Sequence, residues 1–321
     1  MTDDGTIAAP RVAFLGTGIM GAPMARHIAQ AGYRISAWNR TDDKARPLAA
    51  FGVEVAPSAV QAVSGADIVI VMVTSGQAAN QILFEDGRAA AHIKAGAIVV
   101  MMSSIAVDVA RTQAARLREL GIGYVDAPVS GGEKGAIDKT LAIMAGGSPD
   151  DIAAVSPLLG VLGRVTYIGP VGTGQLAKLA NQVIVAGTIT LIAEAFTLAE
   201  RGGADPARVR QALTGGFADS VILQQHGLRM IERRFTPGGD AINQVKDLDA
   251  AARIAEEHHL ALPATERVAE LFRAMVAAGD GGLDHSGIFL HIARLNGLPT
   301  HDIIHDIITD DATTGEPSRK A

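Results

Sequence analysis

Lys178, Asn181 and Gln182 lie three and four residues apart in a stretch, Gln175 to Arg201, that is otherwise largely apolar, so a helix there carries all three on one face. An ammonium group beside an amide suits proton transfer. As an acid it donates to a carbonyl oxygen under reduction, and as a neutral amine it removes the proton of a hydroxyl. Either direction gains when burial or a nearby positive charge brings the lysine pKa below its reference of about 10.4. Taken alone, the same lysine also fits an end-of-helix residue snorkelling to solvent.

A second constellation opens the chain. Gly16-Thr17-Gly18-Ile19-Met20-Gly21 is a G-x-G-x-x-G placed after the apolar run Arg11–Leu15 and before a helical stretch from Ala22 towards Gln30. In that setting the first glycine permits a tight turn, the second lets backbone approach a pyrophosphate, and the third lets helix and strand pack, with phosphate at the helix N-terminus. A structural glycine turn is the other reading, and the strand–turn–helix context speaks against it. Asn39-Arg40-Thr41 closes the next strand candidate, where an NAD-binding chain usually places Asp or Glu for the ribose hydroxyls. Arg40 instead suits a 2′-phosphate or the adenine face, and Asn39 and Thr41 add neutral hydrogen bonds. The expected cofactor is therefore NADP(H), with NAD(H) second; a solvated loop arginine is the bland reading of Arg40. Ser130-Gly131-Gly132, just past another strand candidate, offers backbone N–H groups and one hydroxyl to a carboxylate, or is a plain turn.

These residues need elements to hold them. From residue 11 to about 170, β-branched runs alternate with helix-like stretches, as βαβ units of a parallel sheet do. The strand candidates are Arg11–Leu15, Arg34–Trp38, Ile68–Val73, Ile98–Met102 and Tyr124–Val129, with Thr140–Ala145 and Val165–Ile168 as extensions, one of them allowed to be antiparallel. Gln175–Arg201 reads as one long buried helix, a spine between domains. Pro206–Leu213, Ser220–Glu232, Val245–His258, Ala264–Ala278 and Ser286–Leu295 follow as helices, with no strand expected. The fold class is α/β: a Rossmann-type doubly wound sheet domain over 1–171, then an all-α domain over 172–300 joined through the long helix 175–201. A partly disordered tail is expected over 301–321.

Composition narrows the function. With no cysteine, disulfides, thiolate catalysis and Cys-ligated metal sites are excluded, and the nine histidines show no metal-ligand spacing. His258-His259 reads as a helix end. A net charge of -6 without a dense Lys/Arg cluster gives no electrostatic case for nucleic acid. Asp3 and Asp4 stand where a signal peptide wants basic residues, and Val183–Phe196 is the nearest approach to a membrane span without demanding one. The expectation is a cytoplasmic enzyme with a small carboxylate substrate, no membrane and no nucleic-acid partner. The small-residue-rich spine helix suggests a homodimer or homotetramer built through the helical domain.

Gly16–Met24 (GTGIMGAPM), Asp126–Gly132 (DAPVSGG) and Gly172–Gln182 (GTGQLAKLANQ), in this order from residue 11 to about 296, together resemble the β-hydroxyacid dehydrogenase family of 3-hydroxyisobutyrate dehydrogenase type. Lys178–Val183, Gly215-Gly216, Lys246-Asp247-Leu248 and Asp284-His285-Ser286 are most similar to its tartronate semialdehyde reductase branch. The resemblance implies that Lys178 is the catalytic lysine, that Asn181 orients the substrate, and that Ser130, Gly131 and Gly132 bind it. It implies cofactor contacts at Ser104, Lys246 and the loop after the Ile68–Val73 strand, Val73 and Thr74, beside the glycine loop. The reaction implied is reduction of a small semialdehyde or keto acid, of tartronate semialdehyde, glyoxylate or succinic semialdehyde type, with substrate in a cleft between the domains.

The chain also departs from that pattern. Phe235-Thr236-Pro237 is followed by Gly238, Gly239 and Asp240 where relatives carry an aromatic residue, which implies a larger or more acidic pocket. Met101 and Thr74-Ser75 replace a usual Asp and Pro, and Trp38 is larger than usual. His285 is a further candidate for touching substrate or cofactor. Three rivals share the fold: an imine reductase or other reductase of a bulkier carbonyl, which typically lacks this lysine; a short 6-phosphogluconate dehydrogenase, which wants a basic pocket; and a non-catalytic NADP-binding sensor, which would have shed Lys178 or the Ser130 loop.

Overall fold

The apolar runs of the first half of the chain pair side by side in the computed structural model, which describes residues 9–236 and 238–298. Strands β1 (Val12–Leu15), β2 (Ile35–Trp38), β3 (Glu54–Val55), β4 (Ile68–Val71), β5 (Ile98–Met101) and β6 (Gly123–Asp126) are all parallel, in the order β3-β2-β1-β4-β5-β6. Every residue of β1, β4 and β5 is buried, because helices cover both faces of the sheet. Phe14, Ile70 and Val100 face one core with Met24 and Ile28, while Leu15, Val71 and Met101 face the other with Leu83 and Leu117. Period-two alternation puts neighbouring residues on opposite faces, so each strand serves both cores. The covering helices are α1 (Gly21–Gln30), α2 (Ala59–Val63), α3 (Gly76–Asn80), α4 (Val107–Glu119), α5 (Gly132–Asp138) and α6 (Pro149–Leu159).

Strand order reverses beside β1, whose neighbours are β2 on one side and β4 on the other. In such sheets the crevice at the carboxyl ends of the strands around this switch point takes ligands. Three expectations about strands are corrected. Tyr124–Val129 is two strands, β6 and β7 (Val129–Ser130), because Asp126 turns its side chain inward and Pro128 has no N–H to give a ladder. The short edge strand β3 was not expected; two residues, Glu54 and Val55, leave too little pattern to read. Of the extensions, β8 (Leu141–Gly146) runs antiparallel to β6 and β7 and β9 (Gly163–Gly169) pairs parallel to β8, so both, and not one, run against the parallel strands.

The chain divides into two units between Lys178 and Leu179, within helix α7 (Thr173–Arg201). Lys178 is thus the last residue of the sheet unit. Unit 2 holds the rest of α7 with α8 (Pro206–Leu213), α9 (Val221–Ile231), α10 (Ala241–Glu257), α11 (Pro263–Met275) and α12 (Ile288–Leu295). Its core gathers Ile189, Phe196, Phe235, Phe272, Met275 and Phe289. Helix starts follow their caps: Ser220 Oγ accepts from Leu223 N, and Asp205 accepts from Ala207 N with Pro206 in the first turn. Helix α10 begins four residues before the expected Val245, and α12 begins at Ile288 because Asp284 draws residues 285–287 into a tight turn. The only strand-like pairing among the described residues of unit 2 is a bridge between Asp240 and Asp284.

The reading of α7 as buried all round is corrected. Ala186, Ile189, Ala193 and Phe196 are buried, but Ile184, Leu191 and Leu198 are 66%, 65% and 76% exposed. Seven-residue spacing sets these three in one stripe on the side away from the core. By length and composition α7 is the one helix among the described residues able to cross a membrane; in this fold its other side is core of unit 2. The expected tail, 301–321, lies outside the described residues.

Candidate active site

In unit 1 the residues expected at the cofactor gather at the carboxyl ends of β1, β2, β4 and β5. Gly16 has φ +102°, and a Cβ there would lie 2.1 Å from the Met72 carbonyl oxygen beyond β4, so only glycine fits both the turn and the approach. Gly21 packs against the Gly16 carbonyl in the same way, at 2.0 Å. Over Gly18 the space is open, and α1 has neither a side-chain cap nor an acidic residue in its first turn. That combination is a cradle for a phosphate, so these residues fit a dinucleotide. Ile19 is exposed at the apex of the loop and Met20 half-buried behind it.

Asn39 Oδ1 accepts from Thr17 N at 2.9 Å and its Nδ2 donates to the Thr41 carbonyl at 3.0 Å, tying the end of β2 to the glycine turn. Arg40 is exposed at this edge. Val73 N donates to Ser103 Oγ at 2.8 Å, which joins the loops after β4 and β5. Thr74 is exposed and Ser104 half-buried beside them. Sequence reasoning had singled out Ser104 and passed over its buried neighbour. Gly131 and Gly132, at φ +136° and +60°, follow Ser130 at the end of β7.

Helix α7 is fixed to this edge by two buried side chains. Asp126, at the end of β6, accepts from Gly172 N (2.7 Å) through Oδ1 and from Gln175 N (2.8 Å) through Oδ2. Burial pushes its pKa up to about 6, against the backbone N–H groups of Gly172 and Gln175 that hold it down. Gln175 donates from Nε2 to the Ser103 carbonyl (2.9 Å) and accepts at Oε1 from Ile105 N (3.0 Å). These bonds set the first turns of α7, and hence the stem of Lys178 one turn further on. Neither role was read from sequence; a Gln on the apolar start of a helix was the available signal.

Unit 2 carries the other expected residues. Asn181 Nδ2 donates to Gln182 Oε1 (3.0 Å), Gln182 Nε2 donates to Asp247 Oδ2 (2.9 Å), and Lys246 Nζ lies 3.4 Å from Asp247 Oδ1. Asn181 and Lys246, 65 residues apart, therefore share one network. Buried Gln244 and half-buried His285 extend it, with His285 Nδ1 3.2 Å from Gln244 Oε1. Behind His285, the buried Asp284 carboxylate takes Arg229 Nη1 (2.8 Å), His226 Nδ1 (3.2 Å), Gly238 N (3.1 Å) and both Ser286 N (3.0 Å) and Oγ (2.6 Å). Burial alone would raise its pKa, but hydrogen bonds from His226 and Ser286 outweigh it and hold the carboxyl well below the usual range. Gly239 faces the His285 ring: a Cβ on Gly239 would lie 2.5 Å from its Nε2. No group of three His, Asp or Glu able to hold a metal occurs among the described residues.

Two family models divide the chain close to the boundary between the units. Residues 11–169 fit the model of the NAD-binding domain of 6-phosphogluconate dehydrogenase, and residues 172–292 fit that of the NAD-binding domain of NADP-dependent 3-hydroxyisobutyrate dehydrogenase. The 2-hydroxy-3-oxopropionate reductase of Escherichia coli K12 is 43% identical over 282 residues, covering 87% of this chain and 95% of that protein. The chain belongs to the 3-hydroxyisobutyrate dehydrogenase family. Like its family, it is an oxidoreductase that uses a nicotinamide cofactor. The 3-hydroxyisobutyrate dehydrogenase of Mycobacterium tuberculosis, solved with L-serine, superposes with a TM-score of 0.79 at 30% identity over 88% of this chain and 99% of that one. A family relative from Pseudomonas aeruginosa, NAD-dependent L-serine dehydrogenase, is 34% identical over 86% of this chain and 95% of its own length. Relatives of the family thus include one named for NAD.

Proposed function

We propose that the chain reduces small semialdehyde carboxylates to hydroxy acids with NADPH, and that Lys178 supplies the proton. The observation that carries this reading is the anchoring of Lys178: Asp126 and Gln175 tie the start of its helix to the sheet edge that also bears Gly16–Gly21 and the Ser130 turn. Bound dinucleotide supplies the hydride. Gly16, Gly18, Ile19, Met20, Gly21, Val73, Thr74, Ser104 and Lys246 hold it, and the exposed Arg40, with no carboxylate between Asn39 and Thr41, favours a 2′-phosphate.

The Ser130 hydroxyl and the N–H groups of Gly131 and Gly132 bind the substrate carboxylate, and Asn181 orients the carbonyl. As the carbonyl carbon is reduced, negative charge grows on its oxygen, and the Lys178 ammonium gives that oxygen a proton; in oxidation the neutral amine takes the hydroxyl proton back. The substrate class follows the 43% identical relative, named for 2-hydroxy-3-oxopropionate, which is tartronate semialdehyde. The sheet unit is then the dinucleotide-binding domain and the helical unit the substrate and oligomerisation domain. A homodimer or homotetramer covers the exposed stripe of Ile184, Leu191 and Leu198.

The test is NADPH and NADH oxidation against tartronate semialdehyde, glyoxylate, succinic semialdehyde and a cyclic imine. Fast NADPH turnover with a short semialdehyde acid is expected. Turnover of the imine alone would move the chain to the imine-reductase reading, and silence on every substrate would contradict both.

A further inference from the structure

Helix α1 carries a buried imidazole that has no part in the dinucleotide cradle. His27 is 4% exposed, and its Nε2 donates to the Ile137 carbonyl at 2.8 Å. Nδ1 is buried with no hydrogen-bond partner among the described residues, so that bond is the ring's one polar contact there. An apolar side chain would fill the same space without leaving a ring nitrogen unsatisfied. Stability alone therefore does not account for a histidine at this position.

The bond matters because of what it holds. Ile137 lies in the last turn of α5, where no N–H of the helix itself reaches the carbonyl oxygen. Helix α5 is 7 residues long, buries only Gly135 and Ala136, and has no side-chain cap at its start. A helix so short is not stable by itself and takes its position from what it packs on. One support is β8, where a Cβ on Gly131 or Gly135 would stand 3.2 or 3.1 Å from Leu141 Cδ2. The other is α1, through His27.

The start of α5 is the Ser130-Gly131-Gly132 turn, whose two glycines are exposed. Ile137 stands about 9 Å along the helix axis from Gly131, so a shift of the helix end is carried to the turn. All of these residues lie within unit 1. We propose that His27 is a positioning residue for the substrate carboxylate: it holds α5 so that the N–H groups of the turn converge on the carboxylate oxygens. Without the bond the helix rocks on Leu141 and a charge-assisted contact loosens, while the cofactor and the carbonyl end of the substrate are untouched. This inference rests on the reading of the Ser130 turn proposed above.

The experiment measures NADPH oxidation with tartronate semialdehyde and with glycolaldehyde, which is the same molecule without the carboxylate. It is run on the unmodified chain, His27→Leu, His27→Gln and His27→Asn, with the NADPH Kd and melting temperature of each. His27→Leu should raise KM for tartronate semialdehyde about tenfold, because a hydrogen bond to a charged group is weakened. Its kcat, its NADPH Kd and its kcat/KM for glycolaldehyde should stay within about twofold, as expected when uniform binding of one substrate group is lost. His27→Gln places an amide nitrogen where Nε2 stands and should keep KM within about threefold, whereas the shorter amide of His27→Asn reaches only to the place of Nδ1 and should behave as His27→Leu does. That pair serves if His27→Leu melts early. A folded His27→Leu with KM unchanged within about twofold, an equal loss on both aldehydes, or a His27→Gln no better than His27→Asn would overturn the assignment while leaving semialdehyde reduction standing. No turnover of tartronate semialdehyde by the unmodified chain would remove the reading beneath it as well.

Discussion

Asp126 carries more of this site than its place in a glycine-rich motif suggests. Its carboxylate caps α7 and is wholly buried, and the two facts pull its pKa in opposite directions, with burial ahead. The folded carboxyl keeps its proton up to about pH 6, whereas the unfolded chain releases it near 3.8. Protonation therefore favours the folded state, so this contribution is fully present below about pH 4 and lost as pH rises through about 6. Asp284 has the opposite sign, since its depressed pKa gives stability that is present above the ordinary carboxylate range and lost only in stronger acid. Asp126→Asn should flatten the fall in unfolding free energy between pH 4 and 6, measured by urea titration at each pH; a slope equal to that of the unmodified chain would contradict the assignment. At this scale the glycine turn was legible because Gly16 and Gly21 stand where no side chain fits. Asp126, Gln175, Ser103 and Gln244 were not, because their partners lie far along the chain, 46 to 49 residues away for Asp126.

Helix and strand positions were legible wherever periodicity ran for a turn or more. Pro206–Leu213 matches its expected bounds, since a capping Asp205 and the following Pro206 mark its start. Errors fell where a side chain overrode the pattern: at Asp126, which ends β6, and at Asp284, which winds residues 285–287 before α12. The apolar face of α7 was misjudged for a different reason. Periodicity reports how much of a helix is apolar and is silent on what covers it, so Ile184, Leu191 and Leu198 read as core although unit 2 leaves them exposed. If a second copy covers that stripe, a charge in its middle should break the assembly. Leu191→Glu is expected to give particles of 33.1 kDa by light scattering where the unmodified chain gives a multiple of that mass. A single-chain mass for the unmodified protein, or an unchanged multiple in the variant, would contradict the stripe's role.

For the molecule as a whole, the chain divides its chemistry between two units. The sheet unit bears the glycine loop, the Ser130 turn and Lys178; the helical unit bears Asn181, Lys246 and the His285 network. The two-part architecture and the family were legible because three motifs keep their order over most of the chain. The Gly239–His285 contact was not, since 46 residues separate the two. Proton transfer by Lys178 is central to the proposed reduction, and the most direct measurement is steady-state NADPH oxidation with tartronate semialdehyde by Lys178→Ala. A fall in kcat on the order of 10²–10⁴, with NADPH binding and melting temperature retained, is the predicted result. A folded Lys178→Ala that keeps kcat within about threefold would contradict the proton-transfer role and the mechanism built on it.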